Sequence, residues 1–473
     1  MGVRHMTLAP ATPAVTGRLS AMMFLQFFLW GAWYVTLGPF MNSQGMPAAS
    51  IGNAYSVGPI AAILAPVFLG LVADRFLPTQ IVLGIMHVLG GLLLLAAPSL
   101  VPEAGGSPWP FVGVLFAHML CYMPTLGLSN TVAFHAITNP EKQFPMIRVL
   151  GTIGWIAAGL LIGFLASSKF PYANFLPAGF SLAEFETAKA AMDAKQTVEA
   201  DVITKVKAVL DATASARNSW PMFFYLAGGS AVLLGLYSLT LPSTPPPAKG
   251  KPFSLTDALG FESIKLLRDP PFAVFVVCSF LICIPLAAYY SFGGVYAGAV
   301  GLADVPIKMS FGQMSEIAFM LVMPLCFARL GVKWMLAVGM LAWVVRYGLF
   351  GAAWGGSPES SVQWMVLGGI ILHGICYDFF FVTGQIYVDR KAPVTIRGQA
   401  QGFLVLITQG LGMLVGSQLF PKLVNHFTTG PKDAQVIDWK MVWLVPAGFA
   451  ALIMLVFIAL FKDKQAAEAK AQV

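Results

Sequence analysis

Pro242-Ser-Thr-Pro-Pro-Pro-Ala-Lys-Gly-Lys251 interrupts an apolar chain near its middle. It opens a linker, residues 242–270, that continues as a helix-like run from Ser254 to Leu267. Six apolar segments precede it, near 18–41, 50–72, 78–99, 110–137, 147–168 and 220–241. Six follow, near 271–297, 306–328, 333–352, 362–388, 397–420 and 440–461. Each is about as long as the roughly 20 residues that a helix needs to cross a bilayer. The expected fold is an all-α membrane protein of twelve transmembrane helices in two six-helix halves.

Composition agrees with that reading. Of 473 residues, 57% are hydrophobic and only 10% are charged, against about 25% charged in soluble domains. That excludes a soluble enzyme on a single anchor, a disordered chain, a coiled coil and a secreted disulfide scaffold. A β-barrel does not fit, because its segments alternate over about 10 residues. Cys121, Cys278, Cys283, Cys326 and Cys376 all lie in apolar runs without zinc-ligand context and read as small packed residues. Met1 to Arg18 is polar and lacks the pattern of a cleaved signal peptide.

Lysine and arginine set the orientation. Seventeen lie in the N-terminal segment or in connections after even-numbered segments, against four (Lys308, Lys422, Lys432 and Lys440) in the short opposite loops. Both termini are therefore expected in the cytoplasm, and the net charge of +7 reports topology rather than nucleic-acid binding. The domain plan is an N-terminal tail (1–17), a first bundle (18–241) with an outer insertion (169–219), the linker (242–270), a second bundle (271–461) and a C-terminal tail (462–473). The insertion is Ala-rich and charged, and reads as an exposed helical cap or hairpin. It is either a tolerated insertion or a lid or partner surface.

The halves echo each other weakly. Gly70-Leu-Val-Ala-Asp-Arg-Phe76 follows segment two, and Phe327-Ala-Arg-Leu-Gly-Val-Lys333 follows segment eight. Ile147-Arg148 and Ile396-Arg397 open segments five and eleven. This plan resembles the major facilitator superfamily, whose binding sites lie at the midplane between the halves. In that reading Gly70, Asp74 and Arg75, with Arg329, gate the cytoplasmic side.

Ionisable groups at membrane depth cost at least about 2.5–3.5 kcal/mol on insertion scales, so each is a functional candidate. They are His87, His118, His135, Arg148, Glu316, Arg346, His373 and Asp378. Gln313 and Glu316 share a helix face at a spacing of three. His373 and Tyr377 share one at a spacing of four, with Asp378 about 100° round. Arg148, Thr152 and Trp155 form one stripe at i, i+4, i+7. These stripes suit a shared aqueous cavity. Burial disfavours a charged carboxylate and a nearby arginine favours it, so Glu316 and Asp378 are candidates to load and release a proton. Gln313 and Arg148 offer directional hydrogen bonds, and Trp155, Tyr377 and Tyr289 or Tyr290 offer flat faces. Plainer roles stay open. Glu316 or Asp378 could lock helices as an ion pair, Arg148 could set topology, and Arg346 could snorkel or pair with a carboxylate. His87, His118, His135, Trp30 and Trp33 could simply be packed.

Several strings resemble the bacterial nucleoside:proton symporters. They are Phe24-Leu-Gln-Phe-Phe-Leu-Trp-Gly-Ala-Trp33 with Thr36-Leu-Gly38, Tyr122-Met-Pro-Thr-Leu-Gly-Leu128 with Asn130-Thr131, and Arg148-Val-Leu-Gly-Thr-Ile-Gly154. Gln313-Met-Ser-Glu316, Tyr377-Asp-Phe-Phe380 and Val442-Trp-Leu444 follow in order. The resemblance runs from about residue 20 to 462 and lapses across the insertion. It implies a solute site of Arg148, Thr152, Trp155, Gln313, Glu316 and Tyr377, with Asp378 needed for transport. Two family amides in helix seven correspond to Ala287 and Tyr290, and a family Tyr in helix ten corresponds to His373. Lost hydrogen bonds of this kind change selectivity, so a purine nucleoside, another nucleoside-like solute and a small saccharide all remain in view.

The expected function is proton-coupled import of a nucleoside across the cytoplasmic (inner) membrane by a monomeric, multi-pass transporter, without metal, cofactor or nucleic acid. The alternatives are the same fold carrying another small polar solute such as a saccharide, facilitated diffusion, or a non-transporting membrane sensor. No nucleophile–base or metal-ligand pattern points to an enzyme.

Overall fold

The structure is a computed structural model that describes residues 13–68, 76–103, 105–138, 140–194, 196–246, 261–354, 360–393, 396–431 and 435–462. It is almost wholly helical. The helices are α1 (Pro13–Tyr34), α2 (Leu37–Ser43), α3 (Ala48–Phe68), α4 (Thr79–Ala96), α5 (Trp109–Ala136), α6 (Pro140–Lys169), α7 (Leu182–Asp193), α8 (Ala200–Asn218) and α9 (Met222–Tyr237). They continue as α10 (Pro270–Ala299), α11 (Val305–Ala353), α12 (Ser360–Ile371), α13 (His373–Cys376), α14 (Thr383–Lys391), α15 (Arg397–Val405), α16 (Met413–His426) and α17 (Trp439–Leu460). The one strand pair among the described residues is β1 (Thr428–Thr429) with β2 (Val436–Ile437), antiparallel, Thr428 opposite Ile437.

Eleven helical stretches among the described residues are long and apolar enough to cross a membrane. The 49-residue α11 would extend about 74 Å as one straight helix, more than twice a bilayer core of about 30 Å. It is broken at Gly331, whose φ of 69° and ψ of 177° lie outside helical space and are open essentially to glycine alone. Helix therefore runs over 305–330 and again over 332–353. The break falls in the gap that the sequence leaves between its eighth and ninth segments.

The described chain divides into two compact units. One comprises Met1–Tyr34, Ala61–Ala158 and Pro221–Ala258; the other comprises Val35–Ile60, Gly159–Trp220 and Leu259–Val473. In the first, α4 and α9 meet backbone to backbone. A Cβ on Gly91 would stand 2.7 Å from the Gly228 carbonyl oxygen, and one on Gly235 would stand 2.8 Å from that of Gly84. Small residues allow this approach, which replaces the hydrophobic drive that helices lack inside lipid. A buried polar knot stands beside it. Gln26 Nε2 donates to Thr125 Oγ1 (2.8 Å), and its Oε1 meets His87 Nε2 (2.8 Å). Tyr122 donates to the Gln26 carbonyl (2.9 Å), and His118 Nδ1 lies 2.9 Å from the Gly90 carbonyl. His87 and His118 are thus packed, hydrogen-bonded residues, while His135 is exposed near the end of α5.

In the second unit the insertion forms α7 and α8. Ser181 caps α7 in a box with Glu184, and Phe180, Phe185, Ala188, Val206 and Val209 make a small apolar core of their own. Serine and glutamate three apart satisfy two amides that a helix start leaves open. A cavity of about 440 Å³ lies between the insertion and neighbouring helix ends, lined among others by Lys207, Asp211, Val300, Lys308 and Trp354. None of the sequence-predicted site residues lines it.

Candidate functional site

The predicted residues fall into two groups, one in each unit. In the first unit α6 is helical from Pro140 to Lys169, so the stripe of Arg148, Thr152 and Trp155 survives as one face. Arg148 lays its guanidinium over the Phe27 ring, 3.9 Å from the centroid. Trp155 meets Trp30 edge-on with centroids 5.3 Å apart, and Trp30 also contacts Tyr34 (5.6 Å) and Tyr122 (5.3 Å). Gly31 makes room for it, because a Cβ there would stand 2.9 Å from the indole. The result is an aromatic cluster carrying a half-buried cation, chemistry suited to a flat, polar-edged ring. Trp30 belongs to this cluster, which the sequence left between packing and function.

The second group is built on α10, α11 and α13. Gly312 and Gly374 bring α11 and α13 together; a Cβ on Gly374 would stand 2.6 Å from the Ser315 backbone. Ser315 Oγ accepts from Gly374 N (3.0 Å) and donates to the Gly312 carbonyl (2.6 Å). This contact places His373 Nε2 3.1 Å from Glu316 Oε1. The His373 ring stacks on Tyr289 (5.3 Å, 25°), meets Tyr290 edge-on (6.0 Å, 86°) and tilts against Tyr377 (6.1 Å, 37°). Gln313 is buried, and its Oε1 has no hydrogen-bond partner among the described residues.

Glu316 therefore pairs with a histidine and joins two helices. Asp378 does not form such a lock. It is 0% exposed, and neither carboxylate oxygen has a hydrogen-bond partner among the described residues. Its position also departs from the expected 100° step, because the chain enters a π-helical segment at Tyr377–Val382. Such wider turns concentrate at functional sites. Ala287, aligned with a family amide, packs against α16: a Cβ on Gly416 would lie 2.6 Å from it.

Among the described residues Arg346 pairs with no carboxylate, and it does not snorkel. It is 0% exposed, donates from Nε to the Gly369 carbonyl (2.9 Å) and stacks 4.1 Å above the Tyr289 ring. An Arg–Tyr–His–Glu succession thus runs from Arg346 through Tyr289 and His373 to Glu316. The sequence flagged Arg346 as out of place in an apolar run but carried no sign of its aromatic partner. Gln26 stands in the Phe24–Trp33 string but was given no role there, although a Gln within an apolar run was the available signal.

Of the gating residues, Gly70, Asp74 and Arg75 lie outside the described residues, and Arg329 is exposed two positions before Gly331. The five cysteines are free, three buried and two half-buried. Among the described residues no cluster of His, Cys, Asp and Glu could hold a metal ion.

Fold and buried polar groups together define a multi-pass membrane transport protein. The sequence profile of the nucleoside H+ symporters matches residues 14–183 and 198–466, and the chain belongs to that family. It is 36% identical to YegT of Escherichia coli (strain K12), over 95% of this chain and 94% of that one. It is 29% identical to the nucleoside permease NupG of the same organism, over 94% of this chain and 96% of that one. A crystal structure of the nucleoside transporter NupG superposes with a TM-score of 0.76 at 27% identity, covering 95% of this chain and 100% of that one. The relatives are permeases and transporters, not enzymes, and place the chain among multi-pass proteins of the inner membrane.

Proposed function

We propose that the protein imports nucleosides together with protons by alternating access. The observation that carries this reading is the pair of carboxyls, Glu316 and Asp378, set within apolar spans of a chain from the nucleoside H+ symporter family. Arg148, Gln313 and Glu316 hold the polar edge of the solute. Trp155 and Tyr377 take the ring, and Tyr290 and His373 shape the remaining wall. A charge on Asp378 would be uncompensated where it stands, and an unpaired buried charge is costly. It therefore suits a group that carries a proton in this conformation and releases it in another. Membrane potential supplies about 2.3 kcal/mol per charge per 100 mV to such a cycle.

Counting the two parts of α11 separately gives twelve spans, which supports a six-plus-six plan with both termini on one side; the lysine and arginine asymmetry favours the cytoplasm for that side and the outside for the insertion. On that plan residues 35–60 and 159–220 belong to the first half, yet they share a compact unit with the second. This supports a conformation closed on the insertion side.

Uptake of labelled uridine and adenosine into proteoliposomes, with and without an inward proton gradient, tests the reading. Accumulation driven by the gradient and lost in Asp378→Asn is the expected result. Absence of uptake of either nucleoside by folded protein overturns the substrate assignment and turns attention to Ala287, Tyr290 and His373.

A further inference from the structure

Arg217, near the end of α8, uses its whole guanidinium. Nη1 donates to Asp304 Oδ1 (2.6 Å), and Nε and Nη2 both donate to the Phe170 carbonyl (3.1 and 3.0 Å). The group also lies 5.0 Å from the Tyr172 ring centroid. Asp304 Oδ1 accepts a second bond, from Ser167 Oγ at the end of α6 (2.9 Å). Only 12% of the Arg217 side chain and 34% of the Asp304 side chain are exposed, so solvent screens this pair less than an ordinary surface pair.

Asp304 is the only non-glycine with positive φ among the described residues (φ 51°). Its carbonyl starts α11 by accepting from Ile307 N and Lys308 N. Aspartate is among the few residues that adopt this conformation readily. Its carboxylate is thereby held at the turn between α10 and α11, facing groups from α6 and the insertion.

From these contacts we infer that Arg217 and Asp304 form the latch of a gate on the insertion side of the transporter. The inference rests on the alternating-access reading above. Any movement that parts α6 and the insertion from the start of α11 must break the Arg217 and Ser167 bonds to Asp304 together. Arg217–Asp304 is an ion pair that joins the insertion to the start of α11. The insertion is then a working part of the transport cycle, and its hold on Asp304 sets how often this side opens.

A second joint on the same unit provides an independent readout. Gln418 Nε2 on α16 donates to Ser56 Oγ (2.7 Å) and Asn53 Oδ1 (3.1 Å) on α3, and Ser56 is buried. None of these residues belongs to the insertion. In the full-length protein, Ser56→Cys is introduced and its labelling by a membrane-impermeant maleimide is timed, against the chain without it as background. Arg217→Gln and Asp304→Asn are each expected to speed labelling at position 56 several-fold. The double variant is expected to fall short of the product of the two single effects, because the Arg217–Asp304 bond is shared between them. Arg217→Lys, which keeps the charge without the paired bonds to Phe170, is expected to fall between. Unchanged labelling in all folded variants overturns the latch, and so does faster amide exchange confined to 167–219. The labelling needs no solute, so failed nucleoside uptake with accelerated labelling would reject the substrate reading and leave the latch standing.

Discussion

His373 Nε2 stands 3.1 Å from Glu316 Oε1, joining the short helix α13 to α11 at the point where Gly312 and Gly374 let them touch. A hydrogen bond to an ionised group contributes about 1.5–3 kcal/mol, and here it orients the Glu316 carboxyl on α11. His373→Ala is expected to lower kcat/KM for nucleoside uptake by one to two orders of magnitude, estimated from that range. His373→Tyr, which restores a hydroxyl donor, is expected to recover part of it. Initial uptake rates across a concentration series decide the matter; equal kinetics in both variants would remove His373 from the site.

Asp378→Asn keeps the shape of the carboxyl and removes its titration. Exchange of labelled for unlabelled nucleoside at equal pH on both sides is expected to persist. Accumulation against a gradient is expected to vanish. Loss of both would assign Asp378 a structural role instead.

Arg346 stacks on Tyr289 and bonds the Gly369 carbonyl, and lysine cannot reproduce a planar cation that does both. Arg346→Lys is expected to destabilise the protein by about 2 kcal/mol, the scale of a desolvated cation–π contact. It is also expected to weaken nucleoside binding, because Tyr289 supports His373. Thermal unfolding in detergent and equilibrium binding measure the two effects. A variant with unaltered melting and binding would show that the stack is dispensable.

Gly331→Ala places a side chain where φ is 69° and ψ 177°. Strain of about 1–3 kcal/mol follows, and a lower melting temperature is the expected sign. A melting temperature equal to wild type would mean that the break between 305–330 and 332–353 can be made another way.

In the insertion, Ser181 holds the Glu184 carboxyl below the usual carboxylate range by hydrogen bonds from its hydroxyl and its amide. The lowered value means that the box is formed above the unfolded carboxyl's range and is lost as pH falls through the folded value. Protection of the amides at the start of α7, relative to their intrinsic exchange rates, is expected to fall in acid, and Ser181→Ala is expected to quicken their exchange several-fold at neutral pH without altering uptake. Identical exchange in the variant would show that the cap contributes nothing.

What could be read beforehand followed helical periodicity. The α6 stripe of Arg148, Thr152 and Trp155 was legible because nothing disturbs the 3.6-residue repeat there. Around Asp378 the repeat fails at Tyr377, where the π segment begins and changes the step between side chains. Partners distant in sequence were also invisible: nothing near Arg346 announces Tyr289, and nothing near Arg217 announces Asp304. Apolar length located the spans but could not show which glycines let two of them touch, since that depends on both faces at once.

The insertion also begins and ends at one place. Phe170 and Trp220 meet edge to face with ring centroids 5.7 Å apart, and Arg217 bonds the Phe170 carbonyl. Closely spaced ends are what tolerate exchange of one module for another. A rigid soluble protein spliced in place of residues 171–216 would enter and leave the membrane protein at neighbouring points. It would give a 50.6 kDa chain buried in lipid or detergent an external landmark by which single particles can be aligned.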